Sequence, residues 1–363
     1  DQANAAGLSY ALRILTMAQV EVGRATAPFT VAGRQFAAGA YVIPMNQPYA
    51  SFAQTMLEVQ RYPDLREFPG GPPKRPYDVT AHTLPLLMSF DAVPVQRWDD
   101  AAPQLSKPIA IQDWRFTLPA GLQGRNAPRI ALYKSWQEPM EAGWTRWMFD
   151  QHGLRYDTLK DARIRAGNLR RDFDVIVLQS QSPSSIREGN SAGSLPPEYT
   201  GGVGAEGARA LEEFVRGGGR LVAIEEAADF AIELFRLGAS NAVAGLRPQD
   251  FYVPGSIMRL DLEASHPLAR GVGLTTSAWY WDSSRAFDVN DPSIRVVGRY
   301  GAGNPARSGW ILGPQHLAGK PALLEATVDA GSVVLFGFQP NYRGQSVATW
   351  PLLFNAMSVP ARR

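Results

Sequence analysis

Apolar residues recur along this chain in two rhythms, and the change from one to the other divides it. Near the amino terminus Leu8, Leu12, Leu15 and Ala18 share one face at helical spacing, which predicts a helix over residues 3–18. Val20-Glu21-Val22 reads as a short strand. Phe29–Val31 and Tyr41-Val42-Ile43-Pro44 read as strands around the turn Ala32-Gly33-Arg34. Helical spacing returns over 49–60 through Phe52, Met56, Leu57 and Val59. The run 68–76 then carries Pro69, Pro72, Pro73 and Pro76, which excludes helix and central strand and leaves a surface loop or extended arm. An apolar segment over 84–90 leads to a strand-like Ala92-Val93-Pro94-Val95. Pro103 and Pro108 suggest a boundary near residue 105.

Beyond that boundary, short continuous apolar runs alternate with amphipathic segments. Buried strands are expected at 129–133, 156–159, 174–178 and 221–224. Helices are expected at 141–153, from 160 through Arg170, at 205–216 and at 227–235. A long polar loop is expected after Leu178. Such alternation predicts a doubly wound α/β fold, with a parallel sheet covered on both faces. Residues 294–297, 323–328 and 332–336 look like hairpin strands, making the C-terminal part β-rich. The expected organisation is a smaller α/β domain over 1–107 and a larger one over 108–363.

Length supports two domains, since 363 residues exceed one ordinary core. A net charge of +2 leaves no electrostatic footprint for nucleic acid or an anionic membrane, so neither is an expected partner. The basic cluster Arg163, Arg165, Arg170 and Arg171 reads as a solvated face, with a phosphate or partner contact as the rival reading. With no cysteine, the chain has no disulfide, thiolate nucleophile or Cys-ligated zinc. No apolar run approaches a membrane span.

The densest chemical signal lies at Gly218-Gly219-Arg220-Leu221-Val222-Ala223-Ile224-Glu225-Glu226, a buried strand turning straight into a helix. Ligands of open α/β sheets bind beyond such strand ends. Nucleophilic enzymes put Ser or Cys at this junction; here stand Glu225 and Glu226, candidates for an acid and base if burial splits their pKa values. Gly189-Asn190-Ser191-Ala192-Gly193 matches G-x-S-x-G, but Ser191 lies far from the preceding strand and ahead of Pro196-Pro197, which argues for coincidence in a loop. Gly202-Val203-Gly204-Ala205-Glu206-Gly207 matches G-x-G-x-x-G without a strand running into it, so its glycines are expected to admit a helix rather than a dinucleotide. His82, His152, His266 and His316 show none of the short ligand spacings of a zinc hydrolase. Trp279, Tyr280 and Trp281 form an aromatic cluster suited either to packing or to stacking a sugar or peptide.

Several segments together resemble the C-terminal region of large bacterial zinc carboxypeptidases of the carboxypeptidase A type. They are Gln47-Pro48-Tyr49, Leu57-Glu58-Val59-Gln60-Arg61-Tyr62-Pro63-Asp64, Pro76-Tyr77-Asp78-Val79-Thr80 and Glu141-Ala142-Gly143-Trp144-Thr145-Arg146-Trp147. Pro196-Pro197-Glu198-Tyr199-Thr200-Gly201-Gly202 and Gly337-Phe338-Gln339-Pro340-Asn341-Tyr342-Arg343-Gly344-Gln345 complete the set. The resemblance implies a flavodoxin-like, class I glutamine amidotransferase-like domain that follows a peptidase domain absent here. It implies a secreted or periplasmic parent, with zinc confined to the peptidase domain and none held by this chain. The expected role is a non-catalytic accessory region that packs on the peptidase domain, shapes substrate access or mediates assembly, self-association included. Two rivals stay open: a hydrolase of small molecules or peptides using Glu225 or Glu226, and a carbohydrate- or peptide-binding module using Trp279, Tyr280 and Trp281.

Overall fold

The computed structural model describes residues 4–77, 82–98, 101–111 and 115–358. Of the segments carrying the resemblance, positions 78–80 lie outside these residues. The chain divides into two compact units, one of Asp1–Gln60 with Thr80–Arg115 and one of Arg61–Val79 with Phe116–Arg363.

In the first unit α1 (Ala5–Met17) begins where Asn4 Oδ1 accepts the Gly7 amide at 2.9 Å, a side-chain N-cap. Its apolar stripe buries Leu12 and Leu15 against Val20, Val22 and Ala53. The strand expected at 20–22 forms just beyond it as β1 (Gly23–Arg24), which pairs with β4 (Tyr41–Val42). Between them β2 (Phe29–Val31) and β3 (Arg34–Phe36) close a hairpin. α2 (Ala50–Leu57) and α3 (Leu84–Leu87) complete the unit, and residues 92–95 adopt no strand.

The second unit is α/β. It contains β5 (Ile130–Tyr133), α4 (Met140–Gln151), β6 (Asp157–Leu159), α5 (Asp161–Arg165), α6 (Leu169–Asp172), β7 (Val175–Leu178) and α7 (Pro183–Glu188). α8 (Gly204–Arg216), β8 (Arg220–Ile224), α9 (Glu226–Phe235) and β9 (Ala239–Asn241) follow. The C-terminal part adds β10 (Ser256–Leu262), β11 (Thr275–Tyr280), β12 (Phe287–Val289), β13 (Arg295–Tyr300), β14 (Ala306–Ser308), β15 (Pro321–Val328), β16 (Gly331–Phe336) and α10 (Trp350–Ser358).

These strands build a mixed ten-stranded sheet in the order β11-β10-β13-β15-β16-β8-β7-β5-β6, with β14 beside β10. The segment β16-β8-β7-β5-β6 is parallel, and every pairing from β16 out to β11 is antiparallel. Alternate residues of the parallel strands (Ala131, Tyr133, Ile176, Leu178, Leu221 and Ala223) pack with Ile164, Leu211, Phe214 and Phe230 of the helices. Their neighbours Ile130, Leu132, Val175, Val177, Val222 and Ile224 are equally buried. Both faces are therefore covered, which is why these strands read as continuous apolar runs.

Two local expectations are corrected. The helix expected from 160 through Arg170 is two helices, α5 and α6, because Gly167 and Asn168 both take positive φ. The loop expected after Leu178 holds α7, whose Ser182 Oγ accepts the Ser185 amide at 3.1 Å while Pro183 occupies the first helical turn.

Candidate functional site

Glu225 occupies the turn between β8 and α9 with φ 52° and ψ −115°. A non-glycine residue in this region is strained, at a cost of about 1–3 kcal/mol, and such strain persists only where surroundings over-determine it. Here they do. The Glu225 amide donates to the Phe336 carbonyl at 2.7 Å, and the Glu225 carbonyl accepts from the Ala228 amide at 2.9 Å. The strand–turn–helix geometry thus resembles a nucleophile elbow, with a carboxyl side chain at its apex.

That carboxyl is closed from solvent, with Glu225 at 0% exposure. Ser284 Oγ donates to Oε1 at 2.6 Å, while Ser283 Oγ and Gln339 Nε2 reach Oε2 at 3.3 Å each. The donors come from the loop after β11 and the segment after β16, so the elbow knits three parts of the sheet. Burial pushes the Glu225 carboxyl up to about 7; the Ser284 bond and the Arg285 charge oppose the rise, and the Glu141 carboxyl adds to it. Glu141, in the first turn of α4, is itself buried and raised by desolvation. Gln179 and Gln339 carry buried amide atoms without a protein partner, a situation native interiors resolve with ordered water.

Glu226 does not share these bonds. It opens α9 partly exposed and meets Arg285 Nη2 at 3.5 Å, while Arg285 Nε binds Asp229 at 2.9 Å. The two glutamates therefore lie in different settings, one enclosed and one ion-paired. Trp279 is fully buried and stacks on Tyr342 with centroids 3.8 Å apart, and Tyr280 is buried edge-on to Tyr300. Trp281 is half-buried with its ring edge toward Tyr342. Tyr342 covers a face of Trp279, and Tyr280 is buried in edge contacts with Phe251 and Tyr300.

The remaining sequence motifs are accounted for by packing. Ser191 sits in an exposed loop, where its carbonyl accepts from Ser194. Gly189 (φ 59°) and Gly202 let that loop close on itself and on α7: a Cβ on Gly189 would stand 2.2 Å from the Gly201 carbonyl oxygen, and one on Gly202 2.4 Å from that of Ile186. Arg163 and Arg171 pair with Asp172, Arg170 pairs with Asp174, and Arg165 donates to the Gly202 carbonyl.

The histidines are dispersed. His152 lies among Phe116, Trp350 and Phe354, with burial lowering its pKa. His266 Nδ1 accepts the Leu268 amide, which leaves Nε2–H to meet Glu325 at 3.1 Å. His316 borders an open depression with Asp250 and Gln249 that none of the elbow residues line. Among the described residues no three His, Cys, Asp or Glu side chains gather as a metal-ligand set. No helix of the described residues is long and apolar enough to cross a membrane.

The residues that complete the elbow, namely Ser283, Ser284, Gln339 and Arg285, carry no local sequence signal. They lie 58 to 114 positions from Glu225, and only the sheet brings them together.

No family model and no curated protein matches this chain. Among solved structures it is similar to a cytoplasmic protein from Salmonella typhimurium at 15% identity and TM-score 0.42, covering 65% of this chain and 100% of that one. It is also similar to a ThuA-like protein from Bacteroides uniformis, at 10% identity and TM-score 0.36, covering 63% and 89%. A β-galactosidase from Bacillus circulans sp. alkalophilus matches at 13% identity and TM-score 0.39, over 62% of this chain and 30% of the enzyme. Likenesses at this level carry no functional argument, and the chain stands as an α/β protein with a mixed central sheet.

Proposed function

We propose that this chain is a non-catalytic accessory region of a larger, secreted or periplasmic protein of the zinc carboxypeptidase type. Its second unit is read as a flavodoxin-like, glutamine amidotransferase-like domain, a reading supported by the parallel order β6-β5-β7-β8-β16 with both faces covered. The proposed partner is a peptidase domain on the same protein or a second copy of the chain. The role is to shape substrate access or assembly, and zinc is assigned to the peptidase domain alone. The family resemblance supplies the parent; the elbow supplies the absence of chemistry here. The observation that carries the latter is that the Glu225 carboxyl is satisfied by Ser283, Ser284 and Gln339 and is closed to solvent. A reacting group must approach within hydrogen-bond reach of a general acid or base, and around Glu225 three of those positions are taken by the chain's own donors.

The test is hydrolysis of peptide, ester and amide substrates by the purified chain, with and without added zinc. The expected result is no turnover above background. Turnover that disappears in Glu225→Gln, with the melting temperature unchanged, would overturn this reading in favour of a hydrolase. That second reading is favoured by one observation, the upward shift of Glu225 to about 7, where a carboxyl can serve as an acid or a base near neutrality.

A further inference from the structure

Beyond the carboxyl ends of β5 and β7, two loops of the second unit present an aromatic corner. Trp136 and Tyr199 are 43% and 40% exposed, with centroids 4.7 Å apart and planes at 88°. The corner is held rigid. Gln137 Nε2 donates to Asn190 Oδ1 at 2.9 Å, and Asn190 Nδ2 donates to the Tyr199 carbonyl at 2.9 Å. Gln181 Nε2 in turn holds the Trp136 loop through Ser135 Oγ at 2.8 Å and the Gln137 carbonyl at 2.7 Å. Exposed rings held in advance lose little freedom when a partner arrives.

The surroundings are cationic. Lys160 Nζ stands 3.7 Å over the Trp136 ring and pairs with no carboxylate among the described residues. Lys134 and Arg146 converge on the single carboxylate of Glu138. Lys160 also feels the buried Asp161 carboxyl beside it, so three cations face two carboxyl groups, and the excess asks for negative charge on whatever docks. Met140, the first residue of α4, and Leu195 in the second loop add exposed aliphatic surface, at 62% and 47%. Sugars gain little from thioether and isobutyl groups, whereas peptide side chains pack on them.

We propose that Trp136, Tyr199 and Lys160 form a docking site for an acidic peptide segment, with an apolar side chain set in the ring corner and a carboxylate on Lys160. The site goes beyond the accessory reading and stands whether or not that reading holds. It also lies apart from the aromatic cluster of Trp279, Tyr280 and Trp281, whose first two rings are closed by Tyr342 and Tyr300.

The experiment is fluorescence anisotropy of the whole chain with labelled octapeptide pools alternating Asp or Glu with Leu or Phe. A matching pool with Lys in place of the acids, and polygalacturonate, serve as comparators. Saturable binding of the acidic pool is expected. Trp136→Ala and Tyr199→Ala should each weaken it by about 10-fold or more, and Lys160→Gln by about 3-fold, with the effect fading as salt rises to about 0.5 M. Arg247→Gln, remote in sequence and paired with Asp250, should leave it unchanged. Circular dichroism and melting curves establish that each variant is folded, and Lys160→Glu supplies a surface change if Trp136→Ala is not. The proposal fails if the acidic pool does not saturate, if the Lys pool binds equally, if the variants bind like wild type, or if polygalacturonate is preferred.

Discussion

Ser284 Oγ donates to Glu225 Oε1 across 2.6 Å, tying the loop after β11 to the elbow that ends β8. The bond is buried and its acceptor carries a carboxyl whose ionisation is opposed by burial. Protonation of Glu225 is therefore linked to stability. The folded carboxyl holds its proton up to about 7, against an ordinary value of 4.5, so the folded state binds the proton more tightly than the unfolded chain does. Its contribution is fully present below about 4.5 and is lost as pH rises through about 7. Urea titrations across this window should show stability falling with pH by about 3 kcal/mol from this group. Glu225→Gln should flatten that slope and be the more stable protein at alkaline pH. A slope unchanged by the substitution would assign the pH dependence elsewhere.

Ser284→Ala separates the bond from the burial. Removing a donor to a charged acceptor costs about 1.5–3 kcal/mol, and to a neutral one about 1 kcal/mol. Its destabilisation should therefore be larger above pH 7 than at pH 5, in melts recorded at both values.

A second buried ionic group ties the opposite ends of the same strands. Arg220 Nη2 meets Glu325 at 2.6 Å and Arg220 Nε donates to Ser332 Oγ at 2.9 Å, with Arg220 only 3% exposed. The His266 ring donates to the other oxygen of the same carboxylate. Desolvation raises the Glu325 pKa, but the His266 bond and the Arg220 charge outweigh it and hold the carboxyl below its ordinary value. Arg220→Met alone should cost about 3–5 kcal/mol, because it leaves a buried carboxylate short of its cation. Arg220→Met with Glu325→Leu should recover much of that loss. Chemical denaturation of both variants checks the order.

Gly202→Ala tests whether the G-x-G-x-x-G run is structural. The added methyl meets the Ile186 carbonyl oxygen at 2.4 Å, backbone that cannot swing aside. The loop 189–203 should loosen, at a cost of about 1–3 kcal/mol, with faster proteolytic nicking there as the direct readout. A variant as stable as wild type would mean the loop accommodates the methyl by moving.

Trp279→Ala distinguishes a packing ring from a ligand platform. Loss of a fully buried indole stacked on Tyr342 should cost about 3–5 kcal/mol. The drop in melting temperature should appear with no ligand present.

Much of this protein is readable along the chain. Continuous apolar runs at 130–133, 175–178 and 221–224 announce strands buried on both faces, because each is short, bounded by polar residues and free of proline. The abrupt turn at Glu225 is legible for the same reason, since helix begins with no loop between. Less legible are β10 and β11: Trp279 and Tyr280 stand out as aromatics, and what they stack against, Tyr342 and Tyr300, is distant in sequence. α7 is hidden although Ser182 and Pro183 form a cap, because polar residues dominate its exposed face.

What the sequence determined by itself is local: hydrophobic period, helix starts and strand ends, which depend on neighbours within a few positions. It placed a glutamate where strand meets helix. Tertiary structure decided what that glutamate is. Ser283, Ser284 and Gln339 arrive from far along the chain to donate to its oxygens, and the interior assembled around them desolvates the carboxyl strongly enough to outweigh the Ser284 bond and make the proton harder to release. Burial and dielectric are properties of the assembled interior, and no stretch of sequence carries them alone.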